Sequence, residues 1–145
     1  MYLVDTNVIS AGAPLRLAPA GLVDWMDAHS TLLFLSAVTV AEIEDGIAKL
    51  RREGGARKST DLTAWLEAVL HLYGDRILTF DTATARIAGA LSDRARGQGH
   101  APGFGDIIIA ATAQRHSLTI LSRNVRHFVP LNVPLIDPFT ALPPP

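Results

Sequence analysis

Tyr2-Leu3-Val4-Asp5-Thr6-Asn7 is an apolar run that halts on polar residues. A buried strand with polar groups at its carboxyl end has this form, because a strand covered on both faces reads as a continuous apolar run rather than an alternation. Leu32 to Leu35 and Ile77-Leu78-Thr79-Phe80 repeat the pattern; Leu118-Thr119-Ile120-Leu121 supplies a fourth run, and Asn132 to Ile136 a shorter fifth. Helical spacing fills the gaps. Leu22, Val23, Trp25 and Met26 recur between Pro19 and His29, and Val40, Ile43, Ile47 and Leu50 follow Ser36 until Gly54-Gly55 ends the run. Leu62, Trp65, Leu66, Val69, Leu70 and Tyr73 mark a further helix closed by Gly74. Asp81 opens one that turns Ile87, Ala88, Leu91 and Ala95 inward, and another runs from about Phe104 to His116. Strands joined through helices require crossover connections and a mainly parallel sheet. The expected architecture is α/β: a three-layer α/β/α domain with a mainly parallel sheet of four to five strands.

The chain has 145 residues, 48% apolar and 19% charged, enough to build one core. The expected organisation is one domain over residues 1–139 and a flexible tail over 140–145 that ends in Pro143-Pro144-Pro145. Apolar runs such as Ile107 to Ala111 are too short to cross a bilayer. Met1 leads directly into the first strand with no basic region, so no signal peptide is expected and a cytoplasmic protein is. The absence of cysteine removes disulfides, thiolate metal sites and cysteine nucleophiles. The five histidines are scattered without metal-binding spacing, and no P-loop, G-x-S-x-G elbow or G-x-G-x-x-G is present.

A net charge of −1 does not by itself suggest a polyanion partner, yet the basic residues cluster. Lys49, Arg51, Arg52, Arg57 and Lys58 form one group, Arg94 and Arg96 a second, Arg123 and Arg126 a third. All but Lys49 and Lys58 of the 13 basic residues are arginine, whose planar fork matches phosphate. Each group also reads as a solvated helix end.

In an open parallel sheet, ligands collect beyond the carboxyl ends of the strands. Asp5, Thr39-Val40-Ala41-Glu42, Asp81 and Ser122-Arg123-Asn124 follow successive strands, and Asp106 sits in the first turn of the helix that feeds the fourth. Carboxylates gathered on one rim raise one another's pKa and persist best around a cation. Oxygen donors without paired histidine or cysteine point to Mg²⁺ or Mn²⁺. Each acid has a structural reading as well. Asp5 and Asp81 can cap helices, Thr39-x-x-Glu42 is a capping-box pattern, and Asp106 suits a helix dipole. Asp45, four residues before Lys49, reads as a surface ion-pair partner.

Taken in order, Met1 to Ser10, Leu35 to Ile43, Gly105 to Ala113 and Leu121 to Phe128 resemble the four motifs of PIN-domain ribonuclease toxins of the VapC type, in particular the FitB-like branch. The resemblance spans residues 1 to about 139. It implies a Mg²⁺- or Mn²⁺-dependent endoribonuclease, the toxin of a type II toxin–antitoxin pair, acting on single-stranded or looped RNA. Carried over by motif, Asp5, Glu42 and Asp106 are the catalytic, metal-binding acids, with Thr6 and Ser122 orienting them. Arg123 and Arg126 are candidates for RNA phosphates. Asn124 stands where many relatives carry a fourth acid and offers at most a weak metal contact through its amide oxygen. A small antitoxin in the active-site groove and a homodimer are further implications, with Trp65 and Leu66 as candidates for the dimer face. The rival of another class is a catalytically weak or inactive PIN-like domain that binds RNA or protein. A haloacid-dehalogenase-type phosphatase would need an acid at Asn7, and a receiver domain would need paired acids before its first helix.

Overall fold

A computed structural model describes residues 1–14 and 16–145. Five strands form one sheet: β1 (Tyr2–Val4), β2 (Leu33–Ser36), β3 (Ile77–Leu78), β4 (Thr119–Leu121) and β5 (Leu135–Ile136). Their order is β3-β2-β1-β4-β5, and every pairing is parallel. The chain steps outward from β1 to β2 and β3, then returns to the other side of β1 for β4 and β5. The switch point of the sheet therefore lies between β1 and β4, where the connections leave toward opposite faces and a crevice opens.

Side chains alternate across the sheet as a pleat requires. Tyr2, Val4, Leu33, Leu35 and Leu121 face a core shared with Leu22, Trp25, Ile43, Leu66 and Tyr73. Leu3 and Ile120 face the opposite core, shared with Leu91, Ile107, Ile109 and Phe128. The helices supply both cores: α1 (Thr6–Ile9), α2 (Leu22–Ala28), α3 (Ala37–Arg52), α4 (Ala56–Tyr73), α5 (Thr82–Gly97), α6 (Phe104–His116) and α7 (Val125–Phe128). The three-layer expectation holds, and the sheet is wholly parallel. The α6 segment shows no helical period because Ile107 to Ala113 are all buried, as in a helix covered on every side.

The third strand stops at Leu78, short of the expected Phe80, which is exposed. At this edge the Arg76 guanidinium donates to the carbonyls of Ser30, Leu33 (2.7 Å) and Leu72 (2.8 Å) and lies over the Tyr73 ring. At the other end of the chain, the Tyr2 hydroxyl donates to the Pro144 carbonyl at 2.7 Å. Leu66, a candidate for a dimer face, is 1% exposed and belongs to the core, so it has no surface to offer a second copy. Trp65 is half-buried beside it.

The capping-box reading of Thr39-x-x-Glu42 does not hold. The N-cap of α3 is Ser36, whose hydroxyl accepts from the Val38 N–H at 3.2 Å, so Thr39 lies a turn inside the helix and is buried. Glu42 is thereby free of a capping role. Ser36→Ala is expected to lower stability by about 1 kcal/mol. Glu42→Ala is expected to leave it unchanged or raise it, and urea denaturation of both variants checks the contrast. A matching loss in Glu42→Ala would restore the capping box.

Candidate active site

Register builds the site. Val4 of β1 pairs with Leu121 of β4, so Asp5 and Ser122, the next residues of each strand, stand side by side at the switch point. The Asp5 N–H donates to the Leu121 carbonyl at 2.9 Å and fixes this alignment. Asp5 also caps α1, and both its oxygens are engaged: Oδ1 accepts from the Thr6 N–H at 2.8 Å, Oδ2 from Ser122 Oγ at 2.6 Å and Asn7 Nδ2 at 2.9 Å. The structural and functional readings of Asp5 thus coincide in one side chain, only 4% exposed.

Asn7, which the sequence reading treats only as a missing acid, ties the strand ends together. Its amide donates to Asp5 and to Ser122 Oγ (3.2 Å), and its oxygen accepts from the Arg123 N–H (3.0 Å). Ser122 Oγ in turn accepts from the Asn124 N–H at 3.0 Å. Thr6 reaches Asp5 through its backbone, and its hydroxyl turns toward Thr39 at 3.5 Å.

Glu42 projects from the second turn of α3 toward the start of α6. A Cβ at Gly105 would come within 3.2 Å of Glu42 Oε1, so the bare glycine is what admits the carboxylate there. Asp106, in the first turn of α6, completes the group, and His127 Nδ1 lies 3.1 Å from its Oδ2. Asp5, Glu42 and Asp106 line one cavity of about 440 Å³ together with Arg16, Arg123 and Asn124. The Arg123 guanidinium rests over the Phe139 ring, 5.2 Å from its centroid, which positions it at the mouth of this cavity. Arg126, expected beside Arg123, faces an adjoining cavity instead.

Arg16 and Phe139 carry no sequence signal: each is isolated from the motifs and joins the site only through tertiary packing. Asp81 is an exposed helix cap that accepts from the Thr84 N–H at 2.8 Å, which holds its carboxyl below the usual range. Asp45 and Lys49 form no ion pair; among the described residues, His127–Asp106 alone meets that distance.

The electrostatics follow from this layout. Burial pushes the Asp5 carboxyl up, against hydrogen bonds from Ser122 and Thr6, and the negative charge of Asp106 adds to the rise. Glu42 is raised by desolvation and then by the charge of Asp5, with the Thr6 hydroxyl acting the other way. Among the described residues no lysine or arginine pairs with any of the three acids.

A sequence profile of the PIN domain matches residues 2–129. The chain belongs to the PIN domain family. This PIN domain is 38% identical to toxin FitB of Neisseria gonorrhoeae over 143 residues, covering 96% of this chain and 99% of that one. It is 33% identical to the VapC ribonuclease Y4jK of Sinorhizobium fredii, covering 96% of this chain and 98% of that one. The crystal structure of FitAcB from Neisseria gonorrhoeae superposes with a TM-score of 0.83 at 38% identity, over 95% of this chain and 98% of that chain. The family, the parallel sheet and the order of the motifs are as the sequence resemblance implies.

The residues fit a hard divalent cation in donor type and in charge: three carboxylates, two with raised proton affinity, and among the described residues no guanidinium or ammonium ion-paired to them. As the three carboxylates stand, however, no group of three His, Cys, Asp or Glu among the described residues is close enough together to hold a metal ion. Water and substrate oxygens would therefore complete the coordination, as is usual for Mg²⁺.

The raised proton affinities set a pH dependence. Where the folded protein holds a proton that the unfolded chain has released, stability falls as pH rises. Asp5 and Glu42 both lie in this class, so their contribution is fully present below the ordinary carboxylate range and is lost as pH rises from that range through their folded values. Thermal unfolding in EDTA of the wild type and of Asp5→Asn/Glu42→Gln provides the check. The variant's stability relative to the wild type is expected to grow from the acid side to neutral pH. A pH-independent difference would refute it.

Proposed function

We propose that this PIN domain is a Mg²⁺- or Mn²⁺-dependent endoribonuclease that hydrolyses phosphodiester bonds in single-stranded or looped RNA, acting as the toxin of a toxin–antitoxin pair. The observation that carries the reading is the convergence of Asp5, Glu42 and Asp106 from three separate elements onto one crevice at the switch point, with no lysine or arginine ion-paired to them among the described residues. The similarity to toxin FitB and to a VapC ribonuclease supports the same reaction class.

Asp5 is oriented by Ser122, Asn7 and the Thr6 N–H, so it presents a fixed negative charge without rotating. Asp106 is steered by His127. These two carboxylates and Glu42 would hold the divalent cation, which when bound supplies Lewis-acid stabilisation of the phosphate and acidifies water. Glu42, with its raised proton affinity, suits acceptance at Oε1 of a proton from the attacking water, whose oxygen bonds to phosphorus as the bond to the ribose oxygen breaks and that oxygen takes a proton from solvent. Arg123, braced on Phe139, reaches a flanking phosphate. A flexible single strand can bend its backbone into such a crevice, whereas a duplex cannot.

An acidic pocket without a cation also suits a small protein partner that inserts an arginine, replacing the metal's charge. The similarity to toxin FitB and to the solved structures of FitAcB and of FitAB bound to the IR36 DNA fragment supports an antitoxin partner in general. A homodimer belongs to the same reading.

The neutral Asn124 amide in the pocket favours one second reading, a PIN domain that binds RNA without cutting it. Cleavage of a structured RNA pool by antitoxin-free protein with Mg²⁺, Mn²⁺ or EDTA separates the two. Cutting that needs the metal supports the nuclease; binding without cutting under either metal supports the module.

A further inference from the structure

Asp106 is a shared wall. On one side lies the acidic cavity; on the other lies a second cavity of about 370 Å³ lined by His100, Pro102, Arg126, His127 and Pro130. The volume falls within the roughly 300–1,000 Å³ of small-ligand pockets. It carries one carboxylate where the first carries three. Its one carboxylate, Asp106, is already met by His127, while Arg126 makes no hydrogen bond or ion pair among the described residues. Two imidazoles and two proline rings supply flat faces. The first turn of α6 adjoins it, with Gly103 as an N-cap that offers no side-chain acceptor.

We infer that this cavity is a nucleotide subsite, in which Arg126 holds the RNA phosphate next to the one being cut and the imidazole and proline faces receive its base. The inference rests on the nuclease reading for the position of the cut phosphate. A strand whose reacting phosphate sits against Asp5, Glu42 and Asp106 and leaves the crevice past Asp106 meets the Arg126 guanidinium there. An arginine fork and stacking faces are the two features by which single-stranded nucleic acid is held without sequence readout. The division of labour between the two arginines follows: Arg123 serves the acidic cavity, Arg126 the adjoining one.

The test uses the full chain carrying Asp5→Asn, so that RNA is not consumed, and fluorescence anisotropy with a short mixed-sequence single-stranded RNA as the probe. Arg126→Ala in that background is expected to weaken binding about tenfold and to reduce the slope of log affinity against log salt by about 0.7. Adding His100→Ala should weaken it further, and Arg126→Lys should recover part of the loss. Arg86→Ala, an exposed arginine on α5 outside both cavities, is the charge-matched control and should change nothing. Affinity within twofold in Arg126→Ala, a loss equal to that of Arg86→Ala, or no RNA binding by the parent would each overturn the subsite. With Asp5 intact, Arg126→Ala should raise KM and spare kcat. A wild type that never cuts, joined to Arg126-dependent binding, sinks the nuclease and keeps the subsite. Metal-dependent cutting with KM and affinity unmoved by Arg126→Ala does the reverse.

Discussion

Asp5→Asn is expected to lower RNA cleavage by at least about 10²–10³-fold, the loss typical of removing one preorganised electrostatic group from an active site. The substitution is close to isosteric, yet it fails chemically in both orientations. Asp5 Oδ1 accepts from the Thr6 N–H, and Oδ2 accepts from Ser122 Oγ and Asn7 Nδ2. An amide NH₂ at either position points a donor at a donor. Ser122 has little freedom to compensate, since Oγ already accepts from Asn7 and from the Asn124 N–H and has only its own proton to give. An unmet buried donor costs about 1–3 kcal/mol. Against this stands relief from burying a negative charge, the cause of the raised carboxyl pKa. The net effect on folding should therefore be small beside the effect on the reaction. Single-turnover cleavage and urea denaturation of both proteins separate the two quantities. Activity within tenfold of the wild type in a folded Asp5→Asn would move the reaction centre away from the three acids.

The sheet was legible because the three central strands are largely buried and stop at a polar residue. Tyr2 to Val4 could be read outright, and the crossover helices then required parallel strands. What periodicity cannot report is where a strand ends when a helix cap competes with it. Thr79 and Phe80 look like a continuation of β3, but Asp81 draws the chain into α5. The capping-box error has a similar origin: Ser36 and Thr39 are both good caps, and only the length of β2 decides between them. The acids were legible through their motifs. Their partners were not. Asn7 matters because β1 and β4 are neighbours, and that pairing is set by topology rather than by local pattern. Arg16 and Phe139 come from segments with no periodic signal. Leu66 was misplaced because an apolar helical face can cover either a sheet or a second copy, and sequence does not say which.

The site is unresolved in charge by construction. Three carboxylates line the crevice at the switch point, desolvation and mutual repulsion raise two of them, and among the described residues neither Arg16 nor Arg123, which line the same crevice, is ion-paired to them. A hard divalent cation and an inserted arginine answer the same electrostatic demand. On the function proposed above, catalysis and inhibition by a partner protein would be two occupancies of the same acidic crevice, one by a divalent cation and one by an inserted arginine.

Phe128→Ala is expected to remove about 3–5 kcal/mol of folding stability, a large share of the roughly 5–15 kcal/mol that a domain possesses. Phe128 is 0% exposed and packs in the core that Leu3, Ile120 and Leu131 share. It is also the anchor of α7, a four-residue helix whose N-cap, Asn124, makes no side-chain capping bond. So short a helix has no stability of its own and persists through tertiary packing. The same helix presents Arg126 and His127, and its cap residue lines the acidic cavity. Losing the ring should therefore loosen the far wall of the site as well as the core. The Arg123 N–H bond to Asn7 and the Asn124 N–H bond to Ser122, both 3.0 Å, are the links through which the loosening reaches Asp5. Phe128→Leu, which keeps much of the volume, should retain most of the stability and most of the activity. Denaturant midpoints at constant m give the first quantity, and cleavage below the midpoint gives the second. A loss under about 1 kcal/mol in Phe128→Ala would contradict the anchoring role, because a cavity of that size in a packed core cannot be so cheaply filled.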